Sequence, residues 1–244
     1  MKKTLTACLL GAAFAAPAFA AIECNTFPNA TVTGFVNDDV VATGYTCTIA
    51  ATGNVNGNLS QTGAGNLTIR GIVNGSVSEA GGGSITIVGG TVGGDVSEAD
   101  GGNVTIRGGS TVNGTVEESG NGSVTVTVDR PGIVNADIIE SGAGGVVISA
   151  TTGSFEGSVI ENDGGDVQVT VAAGQSMKGG VEEYGAGSVT ASVTGVFEGN
   201  ITELGDGNVS TSGAGTFKGN SEHELPGTCS NTIVDFQGAA CTLL

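Results

Sequence analysis

Only one histidine, seven basic residues and four prolines occur among the 244 residues, and no two cysteines form a Cys-x-x-Cys pair. With His223 alone, a multi-histidine metal site is excluded and a histidine-based catalytic triad is not expected; the residue reads as a solvated cap side chain. The scarcity of cations works against nucleic acid and anionic membrane surfaces as partners, because 7 Lys and Arg stand against 24 Asp and Glu for a formal charge of −17. No apolar run is long enough to cross a bilayer, so membrane insertion is not expected. The 45 glycines rule against long helices.

What the chain does contain is a repeat. From Val55 to about Asn220 one pattern recurs roughly every 20 residues, opening at Val55, Val73, Val92, Val112, Val134, Phe155, Met177, Phe197 and Phe217. A short fixed period means stacked coils, not an ordinary globular core. Four residues after the opening, the first eight coils place Leu59, Val77, Val96, Val116, Ile138, Val159, Val181 and Ile201; twelve after it they place Leu67, Ile85, Val104, Val124, Val146, Val167, Val189 and Val209. The openings and the position fourteen after them complete a narrow core. Ten after each opening stands a glycine, from Gly65 and Gly83 through Gly207, marking a turn that needs positive φ or close backbone approach between two strands of each coil. Short runs alternate with period two, which is the β pattern. The expected fold is all-β: a parallel β-helix, or β-solenoid, of about 8–9 coils of 18–22 residues, right-handed by the crossover rule.

Segments outside the repeat suggest compartment and caps. Lys2 and Lys3, the apolar run from Leu5 to Ala16 and Ala18-Phe19-Ala20 read as a secretory signal peptide over 1–20, cleaved after Ala20. Leu5-Thr6-Ala7-Cys8 is not read as a lipidation box, since most of the apolar run follows Cys8. Export leaves Cys24, Cys47, Cys229 and Cys241, with local pairs Cys24–Cys47 and Cys229–Cys241 favoured among three connectivities. These pairs would staple an N-terminal cap (21–52) and a C-terminal cap (221–244) onto the solenoid (53–220). No C-terminal anchor is visible, so the expected location is secreted or cell-surface, alternatively periplasmic, with any attachment indirect.

Charge is placed as regularly as the core. Glu79, Glu98, Glu118, Glu140, Glu161, Glu183 and Glu203 each stand six residues after an opening, with Gln61 heading the column. Neighbours in a stack would lie about 4.8 Å apart. Two readings of the column are open: carboxylates fanning into solvent at the strand end and keeping an edge-rich β-protein soluble, or a cation-binding ridge, for which Ca²⁺ is the natural candidate. A second column, Thr68, Thr86, Thr105, Thr125, Thr190 and Ser210, reads as an outer hydroxyl face, with water ordering or ice binding as its functional alternative. Glu117-Glu118 and Glu182-Glu183 cannot face the same way on a strand and make no acid/base pair. No catalytic residues and no cofactor are expected, so the chain is not read as an enzyme, though a carbohydrate-active β-helix remains the alternative from another class.

Val55-Asn56-Gly57-Asn58-Leu59, Val92-Gly93-Gly94-Asp95-Val96 and Phe197-Glu198-Gly199-Asn200-Ile201 resemble the Val-x-Gly-Asp/Asn-Ile repeat of bactofilins, and the likeness runs across all the coils. Gln61-Thr62-Gly63-Ala64-Gly65-Asn66 looks like the Gln-x-Gly-x-Gly-Asn turn of curlin repeats. Both resemblances imply β-solenoids that self-assemble into scaffolds or fibres. The expected function is that of an exported structural or adhesive element of the bacterial envelope or extracellular matrix, whose partners are itself or cell-surface and matrix components.

Overall fold

A computed structural model describes residues 21–244; the signal peptide expected over 1–20 lies outside the described residues. The chain is a parallel β-solenoid of about 11 turns. Each turn adds one strand to each wall, and every strand pairs in parallel with the equivalent strand one turn away. One wall, here called the carboxylate sheet, is a single stack of 12 strands running from Ile22–Glu23 through Val77–Ala80 and Ile201–Glu203 to Thr242–Leu243. A second wall, the hydroxyl sheet, stacks strands such as Leu67–Ile69, Val124–Val128 and Val189–Val193.

A third row of strands distinguishes the structure from the two strands per coil read in the sequence. The opening residues themselves pair: Val36, Val55, Val73, Val92 and Val112 stand in register in a separate five-stranded sheet. Further along, Val134, Phe155, Met177, Phe197 and Phe217 continue the same file. Phe197, Phe217 and Phe236 end it as a stack with ring centroids 4.7 Å apart. Two-residue strands such as Val92 with Thr91 are too short to show an alternation, which is why the row is hidden in the sequence.

Apolar columns fill the interior. Leu59, Val77, Val96 and their equivalents, Leu67, Ile85, Val104 and theirs, and the openings are almost completely excluded from solvent. Alternation on the hydroxyl sheet is clear in the middle coils: in Val124–Val128 the three valines are buried and Thr125 and Thr127 are partly exposed. Stacking identical columns lets side chains of one coil rest on their copies in the next, so burial accumulates linearly with coil number.

Coil number exceeds the expected 8–9 because both segments read as caps continue the stack. Val40–Thr43 pairs with Leu59–Thr62 and Cys47–Ile49 with Leu67–Ile69, while at the other end Ser221–His223 pairs with Ile201–Glu203 and Cys229–Gln237 with Val209–Lys218. Ladder pairing needs parallel backbones and an inward phase, and Ala42, Cys47 and Ile49 supply that phase without the repeat motif. Both expected disulfides are formed, Cys24–Cys47 and Cys229–Cys241. At the N-terminal end Cys24–Thr26 and Pro28–Ala30 make two short 3₁₀ turns, and the Tyr45 hydroxyl donates to Glu23 Oε2 at 2.6 Å.

Candidate functional site

The glutamate column points inward. Glu79, Glu98, Glu118, Glu140, Glu161, Glu183 and Glu203 are all at most 1% exposed, so the reading in which they fan into solvent is overturned. The cause is strand parity: each glutamate lies two residues after a core residue, as Glu79 follows Val77, and period two puts both on one face. Glu117 and Glu182, one residue earlier than their buried neighbours, do face out.

Register makes the seven a continuous file. Gln61 pairs with Glu79, then Glu98, Glu118, Glu140, Glu161, Glu183 and Glu203 follow one per turn, and His223 stands next after Glu203. Across the interior the hydroxyl sheet offers Leu67, Ile85, Val104 and their equivalents, all apolar. Arg70, Arg107, Arg130, Lys178 and Lys218 are all exposed, and the last two pair outside with Glu156 and Glu198. No cation reaches the file from these side chains. Neighbouring anions about 4.8 Å apart repel by about 3.5 kcal/mol at an effective dielectric constant of about 20.

The recurrent glycine ten residues after each opening is what makes room for an acid. A Cβ on Gly83, Gly102, Gly122, Gly144, Gly165, Gly187 or Gly207 would collide with the carbonyl oxygen of the equivalent glycine one coil below, so close approach rather than positive φ explains these positions. The same turn brings N–H groups onto the carboxylate four residues earlier. Gly102 donates to Glu98 Oε1 at 2.8 Å, Gly122 to Glu118 at 3.0 Å, Gly187 to Glu183 at 3.1 Å, and Gly205 and Gly207 to Glu203 at 2.8 and 3.0 Å. Glu161 Oε1 receives three, from Asp163, Gly164 and Gly165 at 3.2, 3.1 and 2.9 Å. Glu140 receives none at either oxygen.

Second oxygens are left over. Oε2 of Glu98, Glu118, Glu183 and Glu203 is buried without a donor, as are Gln61 Oε1 and His223 Nδ1. Burial pushes the acids up: Glu79 is raised, Glu98 reaches about 8 against the pull of Gly102 N–H, Glu140 reaches about 9, and Glu183 about 8. Contacts with adjacent glutamates add to the rise at Glu98, Glu140 and Glu183. Two carboxyl groups in contact form a hydrogen bond only if a proton lies between them.

A calcium ridge fits this geometry poorly. Calcium takes six to eight oxygens from several directions, often including water, whereas the file supplies one carboxyl per turn from a single wall facing aliphatic side chains. Among the described residues no group of three or more acid, histidine or cysteine side chains is arranged to hold a metal ion. His223, read as a solvated cap residue, is half-buried at the end of the file.

No family model, curated protein or solved structure matches the chain. The bactofilin and curlin resemblances therefore rest on their motifs alone.

The outer faces carry ladders of another kind. Thr68, Thr86, Thr105 and Thr125 stand in register on the outer face, interrupted further along by Val147 and Gln168. The Asn, Asp and Ser residues beside them fasten coil to coil: Asn66 Oδ1 accepts from Ser84 N–H, Ser84 Oγ from Asn103 N–H, and Asn103 Oδ1 from Ser123 N–H. A second such line runs from Asp39 to Asn58, Ser76, Asp95 and Thr115. In both lines each bonding partner lies a full turn away, so the ladders exist only once the coils stack.

Proposed function

We propose that the chain is an exported, acidic β-solenoid serving as a structural or adhesive element of the bacterial envelope or extracellular matrix. The observation that supports this reading is the continuity of the walls: equivalent strands pair in register turn after turn from one end to the other, stapled by a disulfide near each end. Such a body is rigid along its axis and presents repeated outer surfaces, the geometry that scaffolds and adhesins use. The two disulfides, and the absence of any helix long and apolar enough to cross a membrane among the described residues, are compatible with an extracellular or periplasmic location.

Electron microscopy of the purified mature protein tests the reading. Rods about 50 Å long, or filaments built from them, are expected from about 11 turns at about 4.8 Å each. Release of reducing sugar from an acidic polysaccharide, with turnover, would replace the structural reading with an enzymatic one.

A further inference from the structure

We propose that the buried glutamate file is a proton-binding site, in which about three protons are shared among the seven carboxyl groups from Glu79 to Glu203 at neutral pH. Three observations of geometry carry this. First, the file holds seven acids and no Lys or Arg side chain, and the in-register neighbours of each acid are its equivalents above and below, with Gln61 and His223 at the two ends. In a line of seven, anions avoid one another only if every second group is neutral. That leaves Glu79, Glu118, Glu161 and Glu203 as anions and puts protons on Glu98, Glu140 and Glu183.

Second, the donors follow a related division. Glu161 and Glu203 collect three and two backbone N–H groups, the surroundings of a stabilised carboxylate. Glu140, between Glu118 and Glu161, is fully buried and receives no donor at either oxygen. An anion there would be bare, whereas a carboxylic acid supplies the O–H that an adjacent glutamate lacks. Third, Glu79 near the head of the file is buried with no donor at either oxygen, and a neutral Glu98 in register beside it would provide the missing donor. A proton on an acid satisfies two otherwise orphaned oxygens at once, the donor's and the acceptor's.

Other groups that bear on the file are few. Asp100 acts on Glu79 from its turn; Asp163 and Asp206 belong to the turns after Glu161 and Glu203; and His223 closes the file. The opposite wall contributes aliphatic side chains and, beside the last coil, Thr211. The raised values of Glu98, Glu140 and Glu183, about 8, 9 and 8, agree with the assignment of protons. A carboxyl group with a higher pKa in the folded chain holds its proton more tightly there. Its contribution to stability is complete below the ordinary value of 4.5 and is lost as pH rises through about 8 to 9. The file therefore favours the folded state in acid and works against it in alkali.

The test is carbon-13 NMR of the mature protein labelled at the glutamate carboxyl carbons, titrated from about pH 5 to about pH 10. The expected result is about three protonated glutamates per chain at pH 7, releasing their protons between about pH 7 and pH 10. In the variant E98Q/E140Q/E183Q, whose amides still donate to their neighbours, that release should vanish. Full ionisation of the glutamates in the folded protein at pH 7 would overturn the proposal, and so would an unchanged release in the variant. Displacement of the protons by millimolar calcium at pH 7, with stoichiometric binding, would also overturn it in favour of a cation site. If the variant does not fold, the proton count on the parent protein decides the matter alone.

Discussion

The carboxylate sheet and the hydroxyl sheet are built on the same parallel ladder and repeat the same number of residues, yet they turn different chemistry inward. Behind the hydroxyl sheet two apolar columns, typified by Val124 and Val126, pack on their copies. Behind the carboxylate sheet one column is apolar, typified by Val116, and the other is Glu118 and its equivalents. The interior of the apolar wall is indifferent to pH because the columns that Val124 and Val126 typify carry no titratable group. The acidic wall is conditional, since its interior is tolerable only when glycine N–H groups and protons neutralise it. A solenoid can thus keep a polar file inside if the turns after the strands supply donors at most coils and protons serve the rest.

The largest expected effect comes from putting an acid into the wrong wall. Val124→Asp places a carboxyl among Val104, Val146 and their neighbours, where no glycine turn is aimed at it, and should cost about 3–5 kcal/mol. Thr125→Asp, one residue on and facing out, should change stability by no more than about 0.5 kcal/mol. Chemical denaturation of both variants checks the contrast, and equal losses would mean that the two walls do not differ in the way described.

A smaller loss is expected where the glycine that serves the acidic wall is filled. In Gly144→Ala the new methyl meets the Gly122 carbonyl, which is backbone and cannot swing aside. The coil must part locally, at a cost of about 1–3 kcal/mol. Amide exchange should show the opening confined to the turns around Gly122, Gly144 and Gly165. A loss spread evenly over both walls would count against a dedicated turn.

How much of this was legible in the sequence depends on whether the partner is near or far along the chain. The inward phase of Leu59, Leu67 and their equivalents follows from parity within one strand, and the disulfides follow from the isolation of two cysteine pairs in the end segments. Parity equally places Glu79 beside Val77 on the inner face. Charge argues the other way, because a buried acid is assumed ionised, and that assumption hides the file. What resolves the conflict is non-local: the N–H donors gather only when the turn closes, and neighbouring carboxyls meet only when coils stack. The extra turns at the ends were illegible for a similar reason, since Val40–Thr43 and Ser221–His223 keep the ladder while abandoning the motif.

The smallest effect is the most discriminating. Glu140→Leu replaces an acid in the middle of the file that receives no donor at either oxygen by an aliphatic side chain of similar size. Glu118 and Glu161 would then be two turns apart, each still accepting from its own glycine turn. Replacing buried ionisable groups by apolar ones of matching volume is often neutral or stabilising, so the variant should lie within about 1 kcal/mol of the parent at pH 7, on the stabilised side. Because the group that titrates at about 9 is gone, the fall in melting temperature from mild acid to alkali should be shallower than in the parent. A loss above about 2 kcal/mol would make Glu140 a structural hydrogen-bonding post. If the variant is as stable as expected, fold stability gives no reason for an acid at that position, and proton binding is what the glutamate contributes that leucine does not.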